Sequence, residues 1–114
     1  KMKIGREVAI SPDVDLDPFY PELINIEEGA IIGWKTNILC HEFTQNHIRL
    51  GRVNIGKKVL IGAFSSIRCG VNIGDNAVIA MNSLVNTDIP PYEMWGGIPA
   101  HFIKKIKKQE YSKK

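Results

Sequence analysis

The chain has 114 residues, 44% of them hydrophobic and 24% charged, which indicates one globular domain and excludes disorder of the chain as a whole. No apolar run approaches the ~20 residues of a membrane span and no charged-then-apolar leader opens the sequence, so we expect a soluble, unexported, cytoplasmic protein without a membrane partner. The two cysteines, Cys40 and Cys69, form no CxxC motif and suit a reducing compartment better than a disulfide framework.

The net charge of +3 is unevenly distributed along the chain. Residues 101–114 carry six lysines and one acid, Glu110, for a net charge of +5, which leaves −2 on residues 1–100. A basic tail of this kind meets nucleic acid, an anionic lipid surface or a small phosphorylated ligand, or it simply keeps a protein soluble. Lysines without interleaved aromatic side chains offer no surface on which bases stack, so we expect no nucleic-acid partner.

A six-residue repeat of apolar side chains runs through the sequence. The fourth residue after each repeat member is mostly small or β-branched, and the residue directly after it is often glycine. Glycine there permits a sharp corner that a Cβ atom would obstruct. The repeat members are Ile4, Ile10, Leu16, Ile26, Ile32, Ile38, Ile55, Ile61, Ile67, Ile73, Ile79 and Val85.

This period predicts short strands separated by turns, three strands to a coil of about eighteen residues, with stacked coils pairing as parallel strands ~4.8 Å apart. We therefore predict an all-β parallel β-helix over residues 3–90, with about four coils. The repeat slips at residues 17–21, which supply a bend, and again at 43–54, which leave the coil as a protruding loop. Loops that interrupt a regular solenoid are where function is usually carried. The predicted coils span 4–21, 26–43, 55–72 and 73–90.

The last part of the chain, residues 91–114, reads as a C-terminal turn and a basic helix within the same domain. The double proline at Pro90 and Pro91 ends the ladder of strands. The stretch from His101 to Tyr111 is predicted to form a short helix, with Pro99 near its first turn and lysines in its later turns. Folded back, this helix would cover an open edge of the coils.

Several motifs together resemble the hexapeptide-repeat acyltransferase family. They are Ile55-Gly56-Lys57-Lys58-Val59-Leu60-Ile61-Gly62-Ala63, Gly70-Val71-Asn72-Ile73-Gly74-Asp75-Asn76-Ala77-Val78-Ile79, Asp88-Ile89-Pro90-Pro91 and Gly97-Ile98-Pro99-Ala100. The resemblance implies a left-handed β-helix, an exception to the right-handed rule for parallel crossovers. It also implies a homotrimer with active sites between subunits, and acetyl transfer from acetyl-CoA to a small-molecule acceptor by direct attack, with no metal required.

Acetyl transfer needs a base that removes the acceptor's proton as it attacks, and histidine is the natural choice near neutral pH. His41 lies where the second predicted coil gives way to the loop, which matches where the family keeps its catalytic histidine. We therefore expect His41 to be the general base, and we place Glu42 and His47 on the acceptor side. Glu42 is also a candidate for orienting His41, although an exposed carboxylate is the simpler description.

The resemblance also implies a donor site, in which coenzyme A lies along a groove between neighbouring β-helices. Small corner residues would lie against its pantetheine arm and basic residues near its phosphates. Family members usually show Gly-Ala-Gly-Ser where this chain has Ala80-Met81-Asn82-Ser83, so bulkier side chains stand at this corner. The expected donor-binding residues are Gly62, Ala63, Ala80, Met81, Asn86, Thr87, His101, Lys104 and Lys105.

Two other functions stay open on the sequence. A zinc enzyme of the gamma carbonic anhydrase type shares the repeat but needs three converging histidines, and His101 lies far along the chain from His41 and His47. The second alternative is that the protein is an inactive trimeric scaffold. The polar loop residues Thr44 and Gln45 favour a hydroxyl on a sugar as the acceptor, and an amine would use the same base.

Overall fold

The computed structural model describes residues 1–108, which fold almost entirely as short β-strands. One turn of 3-10 helix at Pro21–Leu23 interrupts them. In chain order the strands are β1 (Lys3–Ile4), β2 (Ala9–Ile10), β3 (Asp15–Leu16), β4 (Ile24–Ile26), β5 (Ile31–Ile32), β6 (Asn37–Ile38), β7 (His41–Phe43), β8 (Ile48–Leu50), β9 (Val53–Ile55), β10 (Leu60–Ile61), β11 (Ser66–Ile67), β12 (Asn72–Ile73), β13 (Val78–Ile79), β14 (Leu84–Val85), β15 (Glu93–Gly96) and β16 (His101–Lys105).

The strands build a three-sided parallel solenoid. Sheet A contains β1, β4, β9 and β12, sheet B begins with β2, β5, β10 and β13, and sheet C contains β3, β6, β11 and β14. Each coil of the chain adds one strand to sheet A, then one to sheet B, then one to sheet C, so β1–β3, β4–β6, β9–β11 and β12–β14 are successive coils. The predicted parallel β-helical architecture is confirmed.

The repeat isoleucines stack on one another inside the solenoid. Ile32 lies opposite Ile61 in sheet B, and Ile38 lies opposite Ile67 in sheet C. These four side chains are at most 1% exposed. The buried hydroxyl of Ser65 donates to the carbonyl of Ala80 at 3.3 Å, which removes the cost of burying a polar group. The six-residue period is therefore the spacing of the core.

The corners of the solenoid depend on two separate positions after each isoleucine. The residue directly after it lies so close to the next coil that a Cβ added to Gly33 would be 2.6 Å from the carbonyl oxygen of Ile61. At the corners after sheets A and B, the third residue after it has positive φ, as at Lys35 (58°) and Phe64 (63°). Glycine directly after the isoleucine is thus required by close approach, while the left-handed corner lies two residues later and is mostly occupied by residues with side chains.

The predicted C-terminal helix is wrong over residues 101–105, which form β16. β15 pairs in parallel with β13, and β16 pairs antiparallel with β15, so this hairpin extends sheet B. Phe102 and Ile103 have low helix propensity, and the free edge of β15 supplies hydrogen-bond partners that a helix would leave unused. The part of the predicted helix from residue 109 onward lies outside the described residues.

The chain leaves the coil as a β-hairpin of β7 and β8 over residues 41–50, which begins before the expected loop at 43–54, and residues 53–54 already belong to β9 of sheet A. His41 lies opposite Leu50 in this pair, and Phe43 lies opposite Ile48. The backbone N–H of Gly51 donates to the carbonyl of Cys40 at 2.9 Å, which closes the base of the hairpin. Among residues 1–108, no helix has the length and apolar character needed to cross a membrane.

The Gly33→Ala substitution tests the close approach between coils. We expect it to lower the free energy of unfolding by roughly 1–3 kcal/mol, because its Cβ forces two backbones apart. Gly70→Asn is the matched control, since Gly70 has φ +83° but open space around its missing side chain, and asparagine tolerates that φ. Urea unfolding followed by circular dichroism measures both variants. Equal losses in the two would contradict the assignment of Gly33 to close approach.

Candidate active site

The corner after sheet C departs from the pattern of the other corners. The residues directly after its four strands are Asp17, Leu39, Arg68 and Asn86, so none is glycine. Within the described chain, the third residue after β3, β6 and β14 does not have a positive φ; these residues are Phe19, His41 and Asp88. The backbone at this corner is therefore free to follow other paths, and polar side chains collect there.

Asp17 is the most deeply buried charged residue at this corner, with its side chain fully inaccessible. Its Oδ1 accepts the backbone N–H groups of Phe19 (2.8 Å) and Tyr20 (2.9 Å), and its Oδ2 accepts that of Cys40 (2.7 Å). The same Oδ2 lies 2.6 Å from Nδ1 of His41. The bend at residues 17–21 and the start of the hairpin thus meet at one carboxylate.

These hydrogen bonds decide the charge of Asp17. Burial by itself raises the pKa of this carboxyl, but hydrogen bonds from Tyr20, Cys40, His41 and Phe19 outweigh it and lower the pKa from 3.8 to about 2. Hydrogen bonding to the charged form of a carboxylate favours ionisation in this way. Asp17 is therefore an anion at neutral pH, and it accepts hydrogen bonds only.

His41 is oriented by this anion. Because Asp17 only accepts, the Nδ1 atom of His41 donates its N–H, which leaves the Nε2 lone pair of the neutral ring as the acceptor. The His41 side chain is 12% exposed. The rings of Phe19, Tyr20 and Phe43 lie 5.3, 5.7 and 5.2 Å from the imidazole at steep angles and restrict its rotation. Such a pair provides a fixed base that can accept a proton at a known atom.

Glu42 makes no hydrogen bond to the His41 ring. It accepts two hydrogen bonds from Arg68, Nε to Oε2 and Nη2 to Oε1, each 3.0 Å long. Arg49 contributes a longer contact, with Nη1 at 3.9 Å from Oε1. The hydrogen bond from Arg68 is the main cause of the lowered pKa of Glu42. The orienting carboxylate is Asp17, which sequence reasoning missed.

A cleft of about 310 Å³ lies over the outer side of sheet C at this corner. His41 and Glu42 border it from the hairpin, and Arg68 and Asn86 border it from the third and fourth coils. Leu39, Ser66, Ile67, Cys69 and Leu84 complete its lining. The candidate base therefore faces a space that is apolar along the sheet and polar at the corner.

The predicted donor-binding residues fall into two groups. Asn86 shares the cleft with His41, and the exposed Thr87 follows it. The others collect at the opposite end of sheet C and on β16. Gly62 approaches the backbone of Met81 so closely that a Cβ would be 2.5 Å from its nitrogen, and His101 pairs with Gly96 in the strand beside β13. This second group comprises Gly62, Ala63, Ala80, Met81, His101, Lys104 and Lys105.

The three histidines do not converge. His47 lies in the exposed turn between β7 and β8, where its carbonyl accepts from Thr44, and His101 begins β16 on sheet B. In the part of the chain that the structure describes, no three His, Cys, Asp or Glu side chains are grouped to hold a metal ion. The geometry expected of a three-histidine zinc site is therefore not formed by these residues.

Comparison with known proteins agrees with this architecture. The family model described as Bacterial transferase hexapeptide (six repeats) matches residues 52–87. The chain is 40% identical over 115 residues to YvoF of Bacillus subtilis (strain 168), whose acetyltransferase name is provisional, and the match covers 100% of this chain and 67% of YvoF. The chain belongs to the hexapeptide-repeat acyltransferase family.

Two further members of the hexapeptide-repeat acyltransferase family are similar to it. Galactoside O-acetyltransferase of Escherichia coli (strain K12) is 41% identical over 104 residues, which are 90% of this chain and 43% of that protein. The structure of the hexapeptide-repeat acetyltransferase VCA0836 of Vibrio cholerae, complexed with acetyl coenzyme A, superposes with a TM-score of 0.76 at 22% identity, covering 93% of this chain and 72% of that one. At that identity the superposition shows the fold alone.

A signal for Asp17 was present in the sequence. In the hexapeptide pattern the residue after a repeat isoleucine or leucine is often glycine, and an aspartate stands there after Leu16. It follows a sheet C strand, as does the segment that carries His41, one coil later. In this chain, the polar residue at that corner position is the one that contacts the candidate base.

Asp17→Asn tests the buried carboxylate. A pKa lowered from 3.8 to about 2 stabilises the folded state above pH ~4, and this contribution of about 2 kcal/mol is lost as pH falls through the folded-state pKa. We expect the variant to be about that much less stable at neutral pH and to lose less stability than the wild type on acidification from pH 5 to 2. Thermal unfolding across this range measures it, with the exposed Asp15→Asn as control. An unchanged acid dependence in Asp17→Asn would contradict the assignment.

Proposed function

We propose that this protein transfers an acetyl group from acetyl-CoA to a hydroxyl on a sugar, with His41 as the general base. The observation that carries the proposal is the 2.6 Å contact between Asp17 and His41 at the edge of an open cleft. Galactoside O-acetyltransferase, to which the chain is 41% identical over 104 residues, supports a sugar hydroxyl as acceptor. An amine would be deprotonated by the same atom.

The residues at the corner perform the following steps in this proposal. Nε2 of His41 accepts the acceptor's hydroxyl proton while that oxygen forms a bond to the thioester carbonyl carbon. Asp17 stays ionised and stabilises the imidazolium that forms, as a carboxylate does in an Asp-His pair. The tetrahedral intermediate then collapses as its carbon–sulfur bond breaks, and His41 returns the proton to the departing sulfur. Acetyl-CoA supplies the activated acyl carbon and a thiolate leaving group.

Direct attack is favoured because the neighbouring thiol is a poor nucleophile. Cys40 is fully buried, and burial, followed by the negative charge of Asp17, raises the pKa of its thiol to about 11. A thiol with such a pKa is not ionised at neutral pH, and the thiolate is the reactive form. Cys40 is therefore not expected to carry the acyl group.

The donor is proposed to lie along the corner between sheets B and C. The half-buried Gly62, Ala63 and Ala80 leave room along this corner for a flexible arm, while Met81 is 64% exposed and narrows it. The exposed lysines 104 and 105 of β16 supply positive charge for phosphates. His101 and Thr87 are assigned to the donor with them, and Asn86 lines the end of the path beside His41.

We extend the proposal to a homotrimer with a left-handed coil and sites between subunits. An exposed apolar column on sheet B supports self-association, since Ile31 and Leu60 lie side by side and are 45% and 41% exposed. Val78 and Met94 continue the column in register. The free, buried Cys40 and Cys69 support a reducing, cytoplasmic location. Glu42 and His47 remain assigned to the acceptor side.

The first test is His41→Ala. We expect kcat for acetyl transfer to fall by roughly 10²–10⁴, the usual contribution of a general base, while acetyl-CoA binds with unchanged affinity. Thiol release from acetyl-CoA in the presence of a galactoside measures transfer, and calorimetric titration measures binding. His47→Ala is the matched control and should change only the KM for the acceptor. Transfer at the wild-type rate by His41→Ala would refute the proposal.

The donor assignment predicts a separate effect of Lys104 and Lys105. The double variant Lys104→Gln, Lys105→Gln should raise the Kd for acetyl-CoA by about fivefold, with a smaller effect at high salt, because exposed ion pairs are weak and screened. The double variant Lys107→Gln, Lys108→Gln removes the same charge from the neighbouring residues. Equal effects of the two would show that total charge, and not the position on β16, determines donor affinity.

A further inference from the structure

The residue next to the candidate base is held from the opposite side. Successive side chains of a strand point to opposite faces, so on β7 His41 and Glu42 face away from each other. His41 is held by Asp17 at the end of β3, in the first coil, and Glu42 is held by Arg68 at the end of β11, in the third coil. Strand β7 is therefore held between two coils by two charged pairs.

The hairpin needs such contacts because its backbone does not join the sheets. Within residues 1–108, β7 and β8 pair only with each other. All three residues of β8 are exposed. An isolated two-stranded hairpin is at best marginally stable in water. The direction of β7 relative to the coils thus depends on its closed base at Cys40 and Gly51 and on its side chains.

The contact between Arg68 and Glu42 is of a kind that fixes the orientation of the strand that carries Glu42. Two of the three guanidinium nitrogens of Arg68, Nε and Nη2, each donate at 3.0 Å to a different oxygen of the Glu42 carboxylate. A planar fork that binds two oxygens holds one orientation, which a lysine ammonium does not. Arg49 offers a comparison within the same site. It lies at an exposed position on β8, and its Nη1 is 3.9 Å from the same carboxylate, which is longer than a hydrogen bond.

We propose that Arg68 is a positioning residue for His41, which fixes strand β7 through Glu42 so that Nε2 faces the cleft. The inference rests on the proposed function for the role of His41 as the base. Asp17 sets which nitrogen of His41 carries the proton, and Arg68 sets where the strand that carries the ring is held. Arg68 does not need to touch the acceptor or donor to act in this way.

The kinetic test compares variants of the pair. Arg68→Gln and Arg68→Lys should each lower kcat roughly 10- to 100-fold with unchanged Kd for acetyl-CoA, since small misplacements of a catalytic group are costly. Arg49→Gln, which removes a positive charge near the same carboxylate, should change kcat less than about twofold. Wild-type kcat in Arg68→Lys would overturn the proposal, because charge without the fork would then suffice.

An activity-independent measurement separates this proposal from the proposed function. Imidazole ¹H–¹⁵N spectra report the ring of His41, and aromatic spectra report Phe43 on the same strand. Arg68→Gln should broaden or split both sets of signals at an unchanged melting temperature, while Arg49→Gln should resemble the wild type. These changes in a protein without acetyl transfer would refute the proposed function and support positioning. Unchanged spectra and unchanged kcat would overturn positioning alone.

Discussion

The structure depends on how closely successive coils approach one another. A parallel solenoid places each strand against the strand one coil away, so the residues at equivalent points of neighbouring coils are in contact through the whole stack. Repeat isoleucines fill the interior, and residues with little or no side chain lie where backbones nearly touch, as at Gly33 and Gly62. The left-handed positions three residues after the isoleucines of sheets A and B turn the chain. Because core and close-approach positions are restricted in this way, functional side chains are accommodated on the outer faces and at corners where the residue after the strand is not glycine.

The candidate site uses one such corner. Asp17 occupies the place of a corner glycine, and its carboxylate gathers the backbone of the bend, the backbone of Cys40 and the ring of His41. The hydrogen bonds that fold the corner also keep Asp17 ionised and fix the tautomer of His41. Stability and chemistry therefore share one buried group, so a substitution at Asp17 affects both. The ion pair of Arg68 and Glu42 lies on the other side of the same strand and connects it to the third coil.

The residues predicted to bind the donor lie in two groups at opposite ends of sheet C. Asn86 and His41 border the cleft at one end of sheet C, whereas Gly62, Met81 and His101 lie at its other end. In the proposed function, the donor extends between these two ends of sheet C. That proposal puts His41 at the end of the donor path, where the acyl group is needed.

Local spacing in the sequence determined the architecture, the inward-facing residues and the position of His41 at the edge of a loop. A six-residue period favours short stacked strands, because the apolar residues of an amphipathic helix recur about every 3.6 residues and those of a continuous strand every second residue. Only the tertiary structure decided which carboxylate orients His41, since Glu42 is its neighbour in sequence while Asp17 reaches it across one coil. Only the tertiary structure made a strand of residues 101–105, because the partner that satisfies their backbone is the free edge of β15. Both outcomes depend on contacts between segments far apart in the chain, and a pattern read along one segment does not contain them.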